Sequence, residues 1–356
     1  MKKVTIFFLL FVLPTCFIAW ISPKEDKVKV GVYYFDGWTG KTFHITKKMK
    51  DEFPERKPKW GWITSTPEAI EAQIDLAADA GISFFNFCWY YNGKIGQRID
   101  NDPKNNALNL YLKAANKPKL DFSILVCNHA GYIIKPEHWE LLTDYWCDKF
   151  KNPSYIKVNG KPLITFFSVP TLINTFGNSE EVKKALARFR FKADSLQTGV
   201  TIAACVNYKK TENMNIALDC DFDVFTNYNN HDAGFGGSAK EFPIEKLIEK
   251  EKEVWNQYKK FKLPYIPAST LNWDQRPWAD VKKEISNAPR YTGFSSKSVY
   301  HSILSLKKWT LQNSSCTTKE RIAMVYAWNE YGEGAWLTPS SQNNDYLLEG
   351  LKHALK

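Results

Sequence analysis

The sequence predicts an α/β protein built as a single (β/α)8, or TIM, barrel with enlarged loops after its strands. Three observations carry this. Eight short apolar runs rich in β-branched and aromatic residues recur along the chain, most of them followed by a helix-like stretch. Parallel neighbours need crossover helices, so this alternation forces a parallel sheet. Eight such units in about 330 residues fit a closed barrel better than an open doubly wound sheet. No GxGxxG follows an early strand and no Walker A sequence occurs, which removes the usual nucleotide-fold arguments.

The first strand is read at Val28 to Phe35. A helix then opens at Thr66-Pro67-Glu68, with Thr66 as N-cap and proline at the first helical position, and stops at Gly81. Ile82 to Cys88 is the second strand, Asn105 to Ala115 a helix and Phe122 to Cys127 the third strand. A helix from Pro136 to Phe150 and a hairpin at Asn159-Gly160 lead to the fourth, Leu163 to Phe167. Ser179 to Leu196 precedes the fifth, Val200 to Cys205. Lys209 to Cys220 is weakly helical, and Phe222 to Thr226 is the sixth strand. The helix Pro243 to Phe261 leads to the seventh, Tyr265 to Ser269, and Ser296 to Gln312 to the eighth, Ile322 to Trp328. The helix Tyr346 to Leu355 ends the series.

Composition narrows the function. Of 356 residues 44% are hydrophobic and 24% charged, the balance of a folded protein. The net charge of +10 is spread too thinly to form a phosphate-tracking stripe, so a nucleic-acid partner is not expected. Aromatic content is 15%, with 13 Trp and 17 Tyr, side chains suited to cores and to stacking on sugar rings. Lys2 and Lys3 precede a stretch without charge that runs to Pro23, which reads as an export signal or anchor over residues 1–22, ahead of one catalytic domain over 23–356. This predicts a periplasmic or cell-surface protein that meets a membrane only through that segment. Lipidation at Cys16, an uncleaved anchor and simple secretion stay open. Six further cysteines allow one or two disulfides, although buried thiols are the preferred reading. None has zinc-ligand spacing, and no metal or cofactor is expected.

In a barrel of this kind the reacting groups lie past the C-terminal strand ends. The candidates there are Asp36 and Trp38; Trp89, Tyr90 and Tyr91; His129; Asn207; Tyr228; Trp273, Asp274 and Arg276; and Trp328, Asn329 and Tyr331. The sharpest signal is Glu330 with Glu333. Two carboxylates three residues apart, in a glycine-containing turn off the last strand, can point into one cleft. Glycosidic cleavage uses such a pair, and mutual repulsion keeps one member protonated near neutral pH. Gly234-Phe235-Gly236-Gly237 suggests a lid.

The run Trp328-Asn329-Glu330-Tyr331-Gly332-Glu333-Gly334, with Pro339 downstream, resembles the signature of family 99 glycoside hydrolases and their family 99-like relatives. Val32 to Phe35, Gly81 to Phe85 leading into Trp89-Tyr90-Tyr91, and Asn272 to Pro277 are similar to the same family, so the resemblance spans about residues 28 to 340. It implies a retaining, endo-acting enzyme on an α-linked, mannan-like polysaccharide. Glu330 would be the base that deprotonates the sugar 2-hydroxyl, giving a 1,2-anhydro intermediate, and Glu333 the general acid/base. Gly332 stands where characterised mannosidases of the family have His. A glycosyltransferase of surface polysaccharide synthesis and a non-catalytic glycan-binding protein remain as alternatives. The transferase would lack an obvious donor site, since Asp219-Cys220-Asp221 precedes a strand instead of following one.

Overall fold

The computed structural model describes residues 1, 27–93, 98–342 and 346–356; the predicted export segment thus lies almost wholly outside the described residues. Eight strands form the barrel: β1 (Lys29–Tyr34), β2 (Phe84–Trp89), β3 (Asp121–Val126), β4 (Lys161–Phe166), β5 (Thr201–Cys205), β6 (Val224–Thr226), β7 in two pieces (Tyr265–Ile266 and Ala268–Thr270) and β8 (Ile322–Tyr326). All pair in parallel, in sequence order. The first piece of β7 pairs with β6 and the second with β8, so the ring closes through Pro267. Proline has no N–H to give the ladder, but its carbonyl accepts from Met324 N at 2.8 Å.

The helical expectations hold with modest boundary shifts. Thr66 caps Pro67–Asp79 through Ala69 N, and Ser179–Ser195, Ser296–Gln312 and Tyr346–Leu355 fall where the pattern puts them. Two differences stand out. The weakly patterned Lys209 to Cys220 segment contains a full helix, Thr211–Asp219, because Met214 and Ala217 find buried places against the barrel. An unanticipated helix, Val169–Phe176, follows β4, its N-terminus capped by Ser168. All six described cysteines other than Cys16 are free and five are buried, so neither of the disulfides left open by the sequence is formed.

Alternation sorts each strand's side chains between the barrel interior and the helical layer. On β2, Phe85, Phe87 and Trp89 turn outward, onto Trp328, Tyr111 and Trp146 respectively. Cys88 turns inward, with Sγ 3.5 Å from the Tyr228 hydroxyl. Buried Glu251, on the helix Ile244–Tyr258, ties that helix to β7. It accepts from Ser269 Oγ (2.6 Å), Thr270 N (2.6 Å) and Asn230 Nδ2 (3.2 Å). Burial nonetheless pushes its carboxyl up to about 7. The folded state therefore holds this proton more tightly than the unfolded chain. Stability should fall as pH rises from about 4.5 to about 7, by about 3 kcal/mol from this group. Glu251→Gln reproduces the protonated acid's hydrogen bonds, and denaturant titrations across that range should show its slope flattened and its stability above wild type at pH 8.

Candidate active site

After β8 the chain forms a small hairpin: Asn329–Glu330 pairs antiparallel with Ala335–Trp336, and Glu333 N donates back to Glu330 O at 3.1 Å. Gly334 takes a φ of +80°, a conformation that side-chain-bearing residues avoid, and lets the strand return. Three braces fix this hairpin. Asn329 exchanges two hydrogen bonds with the Phe35 backbone at the end of β1, its Oδ1 accepting at 2.9 Å and its Nδ2 donating at 2.7 Å. Trp38 Nε1 donates to Asn329 O at 2.8 Å. Buried Arg56 pairs with Asp274 Oδ2 at 2.5 Å and donates to the Asp274 and Tyr331 carbonyls, each at 3.0 Å. Asp274 N in turn donates to Glu333 O at 2.7 Å.

Both glutamates line a cleft of about 850 Å³ at the C-terminal end of the barrel. Glu330 is 4% exposed. Its Oε1 accepts from the Tyr228 hydroxyl at 2.8 Å, while Oε2 is buried without a hydrogen-bond partner. Burial, then the Glu333 charge, raise its carboxyl well above the ordinary glutamate range; the Tyr228 bond opposes this. Glu333 is more open. Its Oε1 accepts from Gln275 Nε2 at 3.0 Å and its Oε2 from the Tyr326 hydroxyl. Burial raises it too, against these two donors and the Lys282 charge. The pair therefore keeps a proton to higher pH than free glutamates do, and its titration belongs to both members together.

Five of the residues marked by the sequence meet in this cleft: Tyr90, His129, Tyr228, Glu330 and Glu333. Tyr228 is held by the Tyr33, Phe167 and Tyr326 rings at 4.8–5.3 Å. The other expectations are corrected, because those side chains do not line the cleft. Trp38, Trp328 and Tyr331 are wholly buried: Trp38 packs on Tyr331, Trp328 donates to Gln73 Oε1 at 2.8 Å, and the Tyr331 hydroxyl meets Thr338 Oγ1. Trp89 and Tyr91 stack on each other within the helical layer. Asp36 is buried, accepting from Ser65 Oγ (2.9 Å) and Ala107 N (2.6 Å), with burial pushing it up to about 7. Asn329, Asp274 and Arg276 belong to the hairpin's braces, Arg276 Nε lying 2.9 Å from Asp274 Oδ1. Trp273 stacks on His231 at 4.0 Å, and exposed Asn207 accepts from Lys209 N in a local turn. In the glycine-rich run Gly234 is buried and donates to the Tyr291 hydroxyl, Phe235 stacks on the Tyr291 ring, and Gly236 and Gly237 are exposed.

The sequence reading missed residues of long loops. Phe43 and His44 come from the loop after β1, Asp102 and Lys104 from the loop after β2, Tyr132 from the loop after β3, and Trp278 and Lys282 from the loop after β7. Burial and the Lys104 and Lys282 charges push His44 down to about 3, and burial lowers His129 as well, so both imidazoles are neutral near pH 7. Trp278 lies directly on Gly332, where an added Cβ would stand 2.0 Å from the indole. Gly332→Ala should displace Trp278 from the cleft wall and break its Nε1 bond to His44 O. The expected cost is about 1–3 kcal/mol of stability, read by denaturant unfolding, together with reduced glycan binding. Among the described residues no group of three or more His, Cys, Asp or Glu side chains could hold a metal ion.

The barrel, with its two glutamates on the hairpin past β8, fits the resemblance to family 99-like proteins, and comparison with known proteins bears that resemblance out. The chain belongs to the family described as glycosyltransferase WbsX, whose model matches residues 61–351. Among solved structures it is similar to a "Glycoside hydrolase-like protein", with 12% identity, a TM-score of 0.62 and coverage of 93% of this chain and 94% of that one. It is also similar to the GH99 endo-alpha-mannosidase from Bacteroides thetaiotaomicron (14%, TM-score 0.61, 92% and 96%). A family 5 xyloglucanase from Paenibacillus pabuli shares the fold more distantly (11%, TM-score 0.50, 93% and 98%). No curated protein matches the chain.

Proposed function

We propose that this protein hydrolyses glycosidic bonds within an α-linked, mannan-like polysaccharide, with Glu330 and Glu333 as the reacting pair. The observation that carries the reading is the pair itself: two carboxylates on one braced hairpin, lining one cleft and both raised above the ordinary glutamate range. Hydrolysis needs one group to protonate the departing oxygen and one to assist from the sugar side. The roles implied by the resemblance make Glu330 the base and Glu333 the acid. A base with a raised pKa is the stronger base, which suits the buried member. In the reacting form Glu330 is ionised and Glu333 carries the proton of the pair. The solved family 99 mannosidase, alike in fold, supports the same reading.

The family's description favours transfer instead of hydrolysis. A transferase would need a sugar-nucleotide donor, and the proposed export through residues 1–22 would remove the chain from the cytoplasm where such donors are made. The test is reducing-end release from a panel of α-mannans and bacterial surface glycans, beside consumption of sugar nucleotides. Release from a glycan alone supports the hydrolase; turnover only in the presence of a sugar nucleotide overturns it.

A further inference from the structure

Three lysines, Lys41, Lys104 and Lys282, line the cleft beside Asp102, Glu330 and Glu333. Lys104 is paired with Asp102, which leaves Lys41 and Lys282 facing a glutamate pair of which the proposed chemistry keeps one member protonated. Lys104 is a built feature: its side chain is 9% exposed, and Nζ pairs with Asp102 Oδ1 at 2.9 Å and donates to the Tyr132 hydroxyl oxygen. The ammonium also lies over the Tyr90 and Tyr132 rings, 4.5 and 4.3 Å from their centroids. Its charge reaches both cleft imidazoles, which it helps hold neutral. The Lys282 charge also acts on His44, and on Glu333. Among the described residues neither Lys41 nor Lys282 forms an ion pair; both are exposed, and the Lys282 ammonium lies 5.8 Å from the Trp278 ring centroid. Phe43 lines the same cleft, 59% exposed and stacked on His44 with centroids 4.1 Å apart.

A neutral sugar gains little from such an arrangement, because free lysines near a reacting carboxylate oppose the protonation the chemistry needs. An anionic ring gains from all of it: an apolar face for Phe43, ammonium groups for the charge and neutral imidazoles for the hydroxyls. We infer that the mannan-like glycan bound in this cleft is an acidic one, carrying a carboxylate or sulfate group on a sugar that meets Phe43, Lys41 and Lys282, so that unsubstituted α-mannan is its neutral counterpart. The inference rests on the hydrolase reading for what happens to that glycan, and on the cleft alone for its charge. The charge of +10 over the whole chain would add long-range attraction for a polyanion.

The test separates binding from turnover. Affinity electrophoresis of the Glu330→Gln, Glu333→Gln double variant would be run in gels containing alginate, polygalacturonate or fucoidan, each beside its carboxyl-reduced or desulfated form, with yeast α-mannan as the neutral control. Retention by at least one acidic polymer is expected, reduced at least tenfold by removal of its anionic groups. A loss on carboxyl reduction names a carboxylate, a loss on desulfation a sulfate. Adding Lys41→Met and Lys282→Met, both exposed and outside the fold's core, should weaken that retention at least fivefold and flatten its salt dependence. Equal retention by α-mannan, no difference between any acidic polymer and its neutralised form, or indifference to the lysine changes would each overturn the inference. The hydrolase reading fails separately, through turnover that survives in the single glutamate variants.

Discussion

Glu333→Gln and Glu330→Gln should each lower kcat on a cleaved glycan by about 10²–10⁴-fold with little change in binding, because each removes a proton-transfer group and keeps the side chain's shape. The pH profile carries the finer expectation. Both carboxyls are raised by burial, so both limbs should lie above the range of free glutamates. The Tyr228 hydroxyl stabilises the charged form of Glu330, and Tyr228→Phe removes that donor. The pKa of Glu330 must then rise further, and the pH profile of the pair moves to higher pH. A profile left in place by Tyr228→Phe would contradict a role for that hydroxyl in holding Glu330 ionised.

The second large effect is structural. Arg56 is buried and joins the loop after β7 to the glutamate hairpin through one carboxylate and two carbonyls. Arg56→Met leaves those two carbonyls without this donor and Asp274 with only Arg276. Breaking a buried pair from one side costs about 3–5 kcal/mol; the surviving Arg276 contact places this case near 3. Thermal unfolding should show a drop of several degrees. Activity should fall more than stability alone explains, since Glu333 is carried by the loosened hairpin. Arg56→Lys keeps the charge but loses the guanidinium fork, so it should recover only part of both. Unfolding unchanged in Arg56→Met would mean that the brace is not what holds the hairpin.

The barrel was legible in the sequence because eight apolar runs and their helices are long-period features that survive errors at single boundaries. β7 was seen as one strand, since nothing local signals that Pro267 divides its partners between β6 and β8. The glutamate pair was legible because the chemistry needs both carboxylates and they are close in sequence. The aromatic candidates were not. Proximity to a strand end does not say which way a ring turns, and Trp89 could have been excluded by alternation alone, since it shares a face with Phe85 and Phe87. Trp38, Asn329 and Asp274 are near the chemistry but act by holding the hairpin. The cleft's cations were invisible for another reason: Lys41, Lys104 and Lys282 come from long loops, and only the closed ring brings those loops together.

Cleavage in ¹⁸O-labelled water follows the proposed work of Glu330 and Glu333, the direction of water onto a glycosidic carbon. The wild-type protein should release reducing ends that each carry one labelled oxygen, at a rate cut at least a hundredfold in either single glutamate variant. Release of unlabelled products, or label incorporated equally well without the two carboxylates, would contradict it.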